Sequence, residues 1–286
     1  VGRSNVVGIK PTVGLTSRYL VIPVSEHQDT VGPIARTVKD AAIVLQVITG
    51  VDSFDIYTNE NPIQGSTADY LSTCTAEALK GARLGVPDNV IALYREEGNQ
   101  YQIDIFNAAL EEMRSAGATI VRNTDFPAAA EYLESLGPTK LGGSSTARAD
   151  FIVNIASYFK ELSHNPESIT SLEDLRAFTR ADPREQYPDR DTAEWDRILA
   201  QGWDNTTPRF ETEYKRVLRF GHEGGLLGTL KRYELDAVVL PTSFAPRWAA
   251  MVGTPIVTVP LGAYPEDTKV ETSPRGDLVK MGPNFP

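Results

Sequence analysis

Val6-Val7-Gly8-Ile9-Lys10-Pro11-Thr12 opens the most specific run in the sequence. It continues through Gly14, Ser17-Arg18 and Ser25-Glu26-His27-Gln28-Asp29-Thr30-Val31-Gly32-Pro33 to Arg36-Thr37 and Asp40-Ala41. The first apolar residues read as a short buried strand, ended by Pro11, which has no N–H to give to a ladder. Val21-Ile22-Pro23-Val24 predicts a second extended piece, and residues 25–33 a polar loop punctuated by Gly32-Pro33. Thr37 and Asp40 then form a capping pair of T-x-x-D type, with Asp in place of the usual Glu or Gln. Val38, Ala41, Ala42, Leu45 and Ile48 follow at helical spacing, and Gly50 is expected to supply the stop.

The same alternation recurs further along. Ala82–Pro87 reads as a strand, Asn99–Ser115 as a helix closed by Gly117, and Ala118–Val121 as a strand. That spacing predicts a parallel βαβ unit. Residues 52–75, rich in Ser, Thr and turn formers, read as a long surface excursion. Residues 128–233 read as mostly helical: 147–162, a capped start at Ser171-Leu172-Glu173-Asp174, and one long helix from Thr207-Pro208 to about Tyr233. Asp236–Thr242 and Ile256–Pro260 are strand candidates ending at prolines. The fold expected is α/β, a mixed central sheet flanked by helices on both faces, in one domain over 1–286 with a helical insert at about 128–233.

The net charge of −10 argues against nucleic acid as a partner, because an acidic surface repels phosphate. No apolar run approaches the roughly 18 residues that a membrane-spanning helix needs. Cys74 is the only cysteine, so no internal disulfide is expected. His27, His164 and His222 lack metal-ligand spacing, and no Walker motif, Rossmann fingerprint or Gly-x-Ser-x-Gly elbow appears. Asn205-Thr206-Thr207 is a single glycosylation sequon.

The ordered motifs of the opening run resemble the amidase-signature family in the stretch just after its nucleophile. Asp236-Ala237-Val238-Val239-Leu240-Pro241-Thr242, followed by Gly253-x-Pro255 and Val259-Pro260, is similar to that family's C-terminal pattern. The wording around His27 is similar to fungal and bacterial amidases rather than to the amidotransferase A subunit. The resemblance implies hydrolysis of a carboxamide C–N bond by a Ser–cis-Ser–Lys triad, a small amide substrate and no cofactor or metal. By the family's ordering all three catalytic residues precede Val1, so no residue here is assigned a catalytic role. The chain alone is therefore expected to be inactive. Val1 is not an initiator methionine, which leaves location open. The other reading is a pseudoenzyme, or a scaffold or binding subunit that needs a partner chain; a homodimer is compatible with either.

Gly142-Gly143-Ser144-Ser145 imitates the family's cis-Ser stretch but lies on the wrong side of the signature. Ser4 lies too close to the first strand to be the nucleophile. Thr242 and Ser243 end a strand, where open α/β sheets bind ligands, and with Asp29 they are the candidate pocket residues. Arg36, Asp40, Gly32 and Pro33 are expected to fix the loop and the helix start.

Overall fold

The computed structural model describes residues 4–61, 68–94, 100–136 and 144–285. Its strands fall into two three-stranded sheets and a hairpin. In the first sheet β1 (Val7–Lys10) is central. It pairs antiparallel with β2 (Ile34–Ala35) on one side and with β6 (Ile256–Thr258) on the other. The second is parallel: β3 (Arg83–Val86) lies between β4 (Thr119–Arg122) and β5 (Ala237–Val238). β7 (Glu271–Thr272) and β8 (Val279–Met281) form the hairpin. The α/β class and the parallel βαβ unit are therefore present, with the strands divided between two sheets.

Helix α1 (Val38–Ile48) starts as the sequence predicts, with the Thr37 hydroxyl accepting from the Asp40 N–H at 3.1 Å. Its end differs from expectation. Thr49, extended, is the last cap and its hydroxyl donates to the Leu45 carbonyl, while Gly50 donates its N–H to the Leu15 carbonyl. α1 buries Ala41, Ala42 and Leu45 but leaves Val38, Ile43, Val44 and Val47 exposed.

Between β3 and β4 lie α2 (Asp88–Tyr94) and α3 (Gln100–Ser115); α4 (Ala129–Ser135) follows. Val86, Phe106, Leu110, Phe126, Phe220 and Trp248 build the main core beside the parallel sheet. Burying such side chains stabilises by about 1.5–3 kcal/mol each.

The middle of the chain is helical: α5 (Ser145–Glu161), α6 (Leu172–Ala181), α7 (Ala193–Ala200), α8 (Pro208–Gly221) and α9 (Leu226–Tyr233). α5, α6 and α7 share a smaller core of Phe151, Ile155, Leu172 and Ile198. The single helix expected over 207–233 is broken at His222–Gly225. Two successive glycines, poor helix formers, stand at the break, and the chain packs closely there. A Cβ on Gly224 would sit 2.7 Å from the Ala128 Cβ, and one on Gly225 2.2 Å from the Phe220 carbonyl oxygen.

Two further expectations are corrected. Val21–Val24 joins no sheet, and Val21, Ile22 and Val24 are exposed, because Pro23 and the following loop leave no ladder to join. The excursion over 52–75 is docked at its start: Asp55, Thr58 and Asn61 are buried around a short 3-10 turn, Ile56–Glu60. Residues 62–67 of it lie outside the described residues. The last helix, α10 (Pro246–Ala250), puts Trp248 into the main core.

Candidate functional site

The antiparallel register of β1 and β6 positions the site. Gly8 lies opposite Thr258 and Lys10 opposite Ile256. Carried past its last pair, that register sets Val7, the first residue of β1, opposite Val259 and Val6 opposite Pro260. Val259 and Pro260 begin the wall of a groove of about 750 Å³, within the usual range for small-molecule sites. Ile105 and Phe106 of α3, Thr242, Pro246, Leu261 and Tyr264 line it further, and the β7–β8 hairpin closes one side with Glu271, Lys280 and Met281.

Thr242 is exposed into this groove at the start of a short 3-10 turn, Thr242–Phe244. Asp29 is elsewhere. It lines a second groove, of about 440 Å³, with Arg18, Tyr19, Val21 and Phe54. Its carboxylate accepts from the N–H groups of Val24 (2.6 Å) and Ser25 (2.9 Å), which pins the turn. The structure thus does not bring Asp29 and Thr242 into one cavity. Gly32 and Pro33 lie against β1, where the Ile9 N–H donates to the Pro33 carbonyl at 3.0 Å. Arg36 and Asp40 are exposed at the start of α1. Ser4 is exposed, and Ser144 and Ser145 open α5; Gly142 and Gly143 lie outside the described residues.

Lys10 connects the sheet to the loop before β6. Its ammonium donates to the carbonyls of Pro11 (3.2 Å) and Thr254 (3.1 Å). Burial lowers its pKa from 10.5 to about 8, with the Asp29 charge opposing the shift. Between those values the unfolded chain holds more protons than the folded one, so stability from this group rises with pH across that window. The advantage of wild type over Lys10→Met, read from urea unfolding, is expected to grow by on the order of 1 kcal/mol from pH 7 to pH 9.5, allowing for solvent screening. A difference that stays flat with pH would contradict it.

A polar cluster joins the loop at residues 25–27 to the helical middle. Asp150, on α5 and 1% exposed, is its centre. Ser25 Oγ donates to Oδ2 of Asp150 at 2.5 Å, and His27 Nδ1 lies 2.9 Å from the same oxygen. Asn205 Nδ2 donates to Asp150 Oδ1 at 3.0 Å and to Glu26 Oε1 at 2.9 Å. Tyr57 donates its hydroxyl proton to Glu26 Oε2 at 3.3 Å, and burial raises its pKa further above the ordinary range. The His27 ring packs on Tyr214 and Phe210, with centroids at 4.5 and 5.4 Å.

Glu26, His27 and Asp150 bring one ligand atom each within 4.8 Å of one another, a juxtaposition that the sequence spacing of the histidines does not show. The four carboxylate oxygens already receive hydrogen bonds from protein donors, which makes the cluster a satisfied network. It is also no serine triad. Ser25 is buried, and its proton is directed at the carboxylate rather than at the imidazole. The sequon asparagine Asn205 spends its amide nitrogen here. The neighbouring Arg18–Asp55 pair, at 2.8 Å, ties the same loop to the 3-10 turn; burial would raise the Asp55 pKa, but the bonds from Arg18 bring it below the ordinary value.

Comparison with known proteins places this architecture. A family profile described as Amidase matches residues 3–265. A protein of Arthroderma benhamiae named "Putative amidase" is 50% identical over 284 residues, covering 99% of this chain and 46% of that protein. The peptide amidase of Stenotrophomonas maltophilia superposes with a TM-score of 0.75 at 28% identity, over 92% of this chain and 53% of that one. An amidase family protein from Bacillus anthracis shares the fold, with a TM-score of 0.71 at 23% identity, over 99% of this chain and 51% of that one. The chain spans about half the length of the relatives it matches. Among the described residues no helix is long and apolar enough to cross a membrane. The two sheets, the loop at 25–33 and the family match over residues 3–265 together make this chain a member of the amidase-signature family.

Proposed function

We propose that this chain is the substrate-binding portion of an enzyme that hydrolyses a carboxamide to an acid and ammonia or an amine. The Ser–cis-Ser–Lys triad would be supplied by residues outside 1–286. The supporting observation is the β1–β6 register, whose last pair, Gly8 with Thr258, lies next to Val259 and Pro260 in the wall of the 750 Å³ groove. The family resemblance puts the nucleophile shortly before β1.

In this mechanism a neutral lysine, relayed through the second serine, accepts the proton of the nucleophilic serine. The serine oxygen attacks the amide carbon, and backbone N–H donors hold the developing oxyanion. The C–N bond breaks as the leaving nitrogen takes a proton, and water then cleaves the acyl-enzyme to release the acid. Within this chain, Gly32 packs against Ile9 and Lys10 ties the far end of β1 to the Thr254 carbonyl, which fixes the strand that leads from the site. The groove holds the acyl side of the substrate, with Thr242 at its lining.

The test is ammonia release from primary carboxamides by the protein isolated from its natural source. Turnover without added metal is expected. A purified, folded protein that releases no ammonia from a panel of aliphatic and aromatic amides would overturn the reading in favour of a non-catalytic scaffold.

A further inference from the structure

We infer that the groove between α3, residues 259–264 and the β7–β8 hairpin selects amides whose acyl part ends in an aromatic ring, with Tyr264 and Tyr101 as its specificity-determining wall. This rests on the proposed amide hydrolysis and adds the class of substrate.

Three observations carry it. First, the two tyrosines form a fixed pair, with centroids 5.8 Å apart and planes tilted by 31°. Tyr101 donates its hydroxyl proton to the Ala263 carbonyl at 2.9 Å, and Gln102 Nε2 donates to the Tyr264 hydroxyl at 2.7 Å. Rings held this way lose little freedom on binding, which favours a flat partner that can stack on them or meet them edge to face.

Second, the backbone around Tyr264 is tied down. Its N–H donates to the Phe285 carbonyl at 2.9 Å, and the Asn284 N–H donates to the Tyr264 carbonyl at 3.0 Å. Phe285 also lines the groove, so the last described residue extends the aromatic wall.

Third, the rest of the lining is apolar where a ring would lie: Ile105, Leu261 and Met281. The hairpin wall carries one charge of each sign, Glu271 and Lys280, and so offers no net attraction to an ionic substituent. A groove of this size is much larger than acetamide or propanamide needs, and those would leave its wall unfilled.

The experiment uses the full natural protein and compares kcat/KM for 3-phenylpropanamide and propanamide. Wild type is expected to prefer the aryl amide by about tenfold or more. Tyr264→Ala should lower kcat/KM for the aryl amide by about tenfold and leave propanamide within about threefold. Ile105→Trp, which fills the groove without removing a hydrogen bond, should lower the ratio of aryl amide to propanamide turnover in the same direction. Equal loss on both substrates, or no loss on either, in a variant with a native circular dichroism spectrum would overturn the inference while leaving amide hydrolysis standing. If wild type cleaves neither amide, the underlying reading fails first, before any variant is compared.

Discussion

Asp150→Ala is expected to destabilise the protein by about 3–5 kcal/mol, the range for removing one partner from a buried charged network. The side chain is 1% exposed and gathers Ser25, His27 and Asn205 around its two oxygens. Alanine leaves those donors facing a cavity, and each buried donor without a partner costs about 1–3 kcal/mol. Asp150→Asn should cost less, because an amide oxygen can still accept from Asn205. Urea unfolding of the three proteins measures the order. The loop at 25–27 should be the first region to lose amide protection in the alanine variant, since the cluster is what fastens it to α5. An alanine variant within 0.5 kcal/mol of wild type, a span roughly that of neutral surface changes, would mean that water replaces the network at no cost.

Gly32→Ala is the second large effect, and it acts through sterics rather than through dihedral preference. A Cβ at Gly32 would sit 1.9 Å from the Ile9 carbonyl oxygen and 2.7 Å from Pro11 Cδ. Both neighbours belong to β1 or the turn that ends it, so neither can swing aside as a flexible side chain could. The loop must lift off the strand and give up the Ile9 N–H bond to the Pro33 carbonyl. A loss of about 3 kcal/mol is expected, the upper end of the usual overpacking range. In the full natural protein, kcat/KM should fall with it, because β1 leads directly from the proposed nucleophile. Stability and activity both within error of wild type would show that the loop can move away freely.

In the opening run, strand β1 and the start of α1 were legible, while the extended piece at 21–24 and strand β2 were not. Local chemistry alone accounts for β1 ending at Lys10, for the Thr37 cap and for the buried face of α1. The βαβ unit was legible for the same reason: its strands and helix carry their own periods and their own stops. The helix expected to run to Tyr233 breaks at Gly224-Gly225, a local helix-breaking pair that the periodicity of the flanking residues overshadowed, and the chain packs there on Ala128.

The site shows the same division. Thr242 was proposed because it ends a strand candidate in a recognisable motif, and it lines the groove. Tyr101 and Gln102 meet residues 263 and 264 only through contacts across 162 positions, and nothing local marks them. Asp150 and Asn205 join the loop at 25–27 from 123 to 179 residues away. His27 was visible as part of an unusual loop wording, but its carboxylate partner was not. The lack of metal spacing among the histidines is correct as a statement about sequence and silent about such tertiary neighbours.

Where the nucleophile lies is measured by labelling the natural protein with a serine-directed fluorophosphonate during turnover of a carboxamide and locating the modified residue by peptide mass spectrometry. Labelling is expected to abolish ammonia release, with the modified serine outside residues 1–286. A label on Ser4, Ser144, Ser145 or any other serine of this chain, with loss of activity, would contradict it.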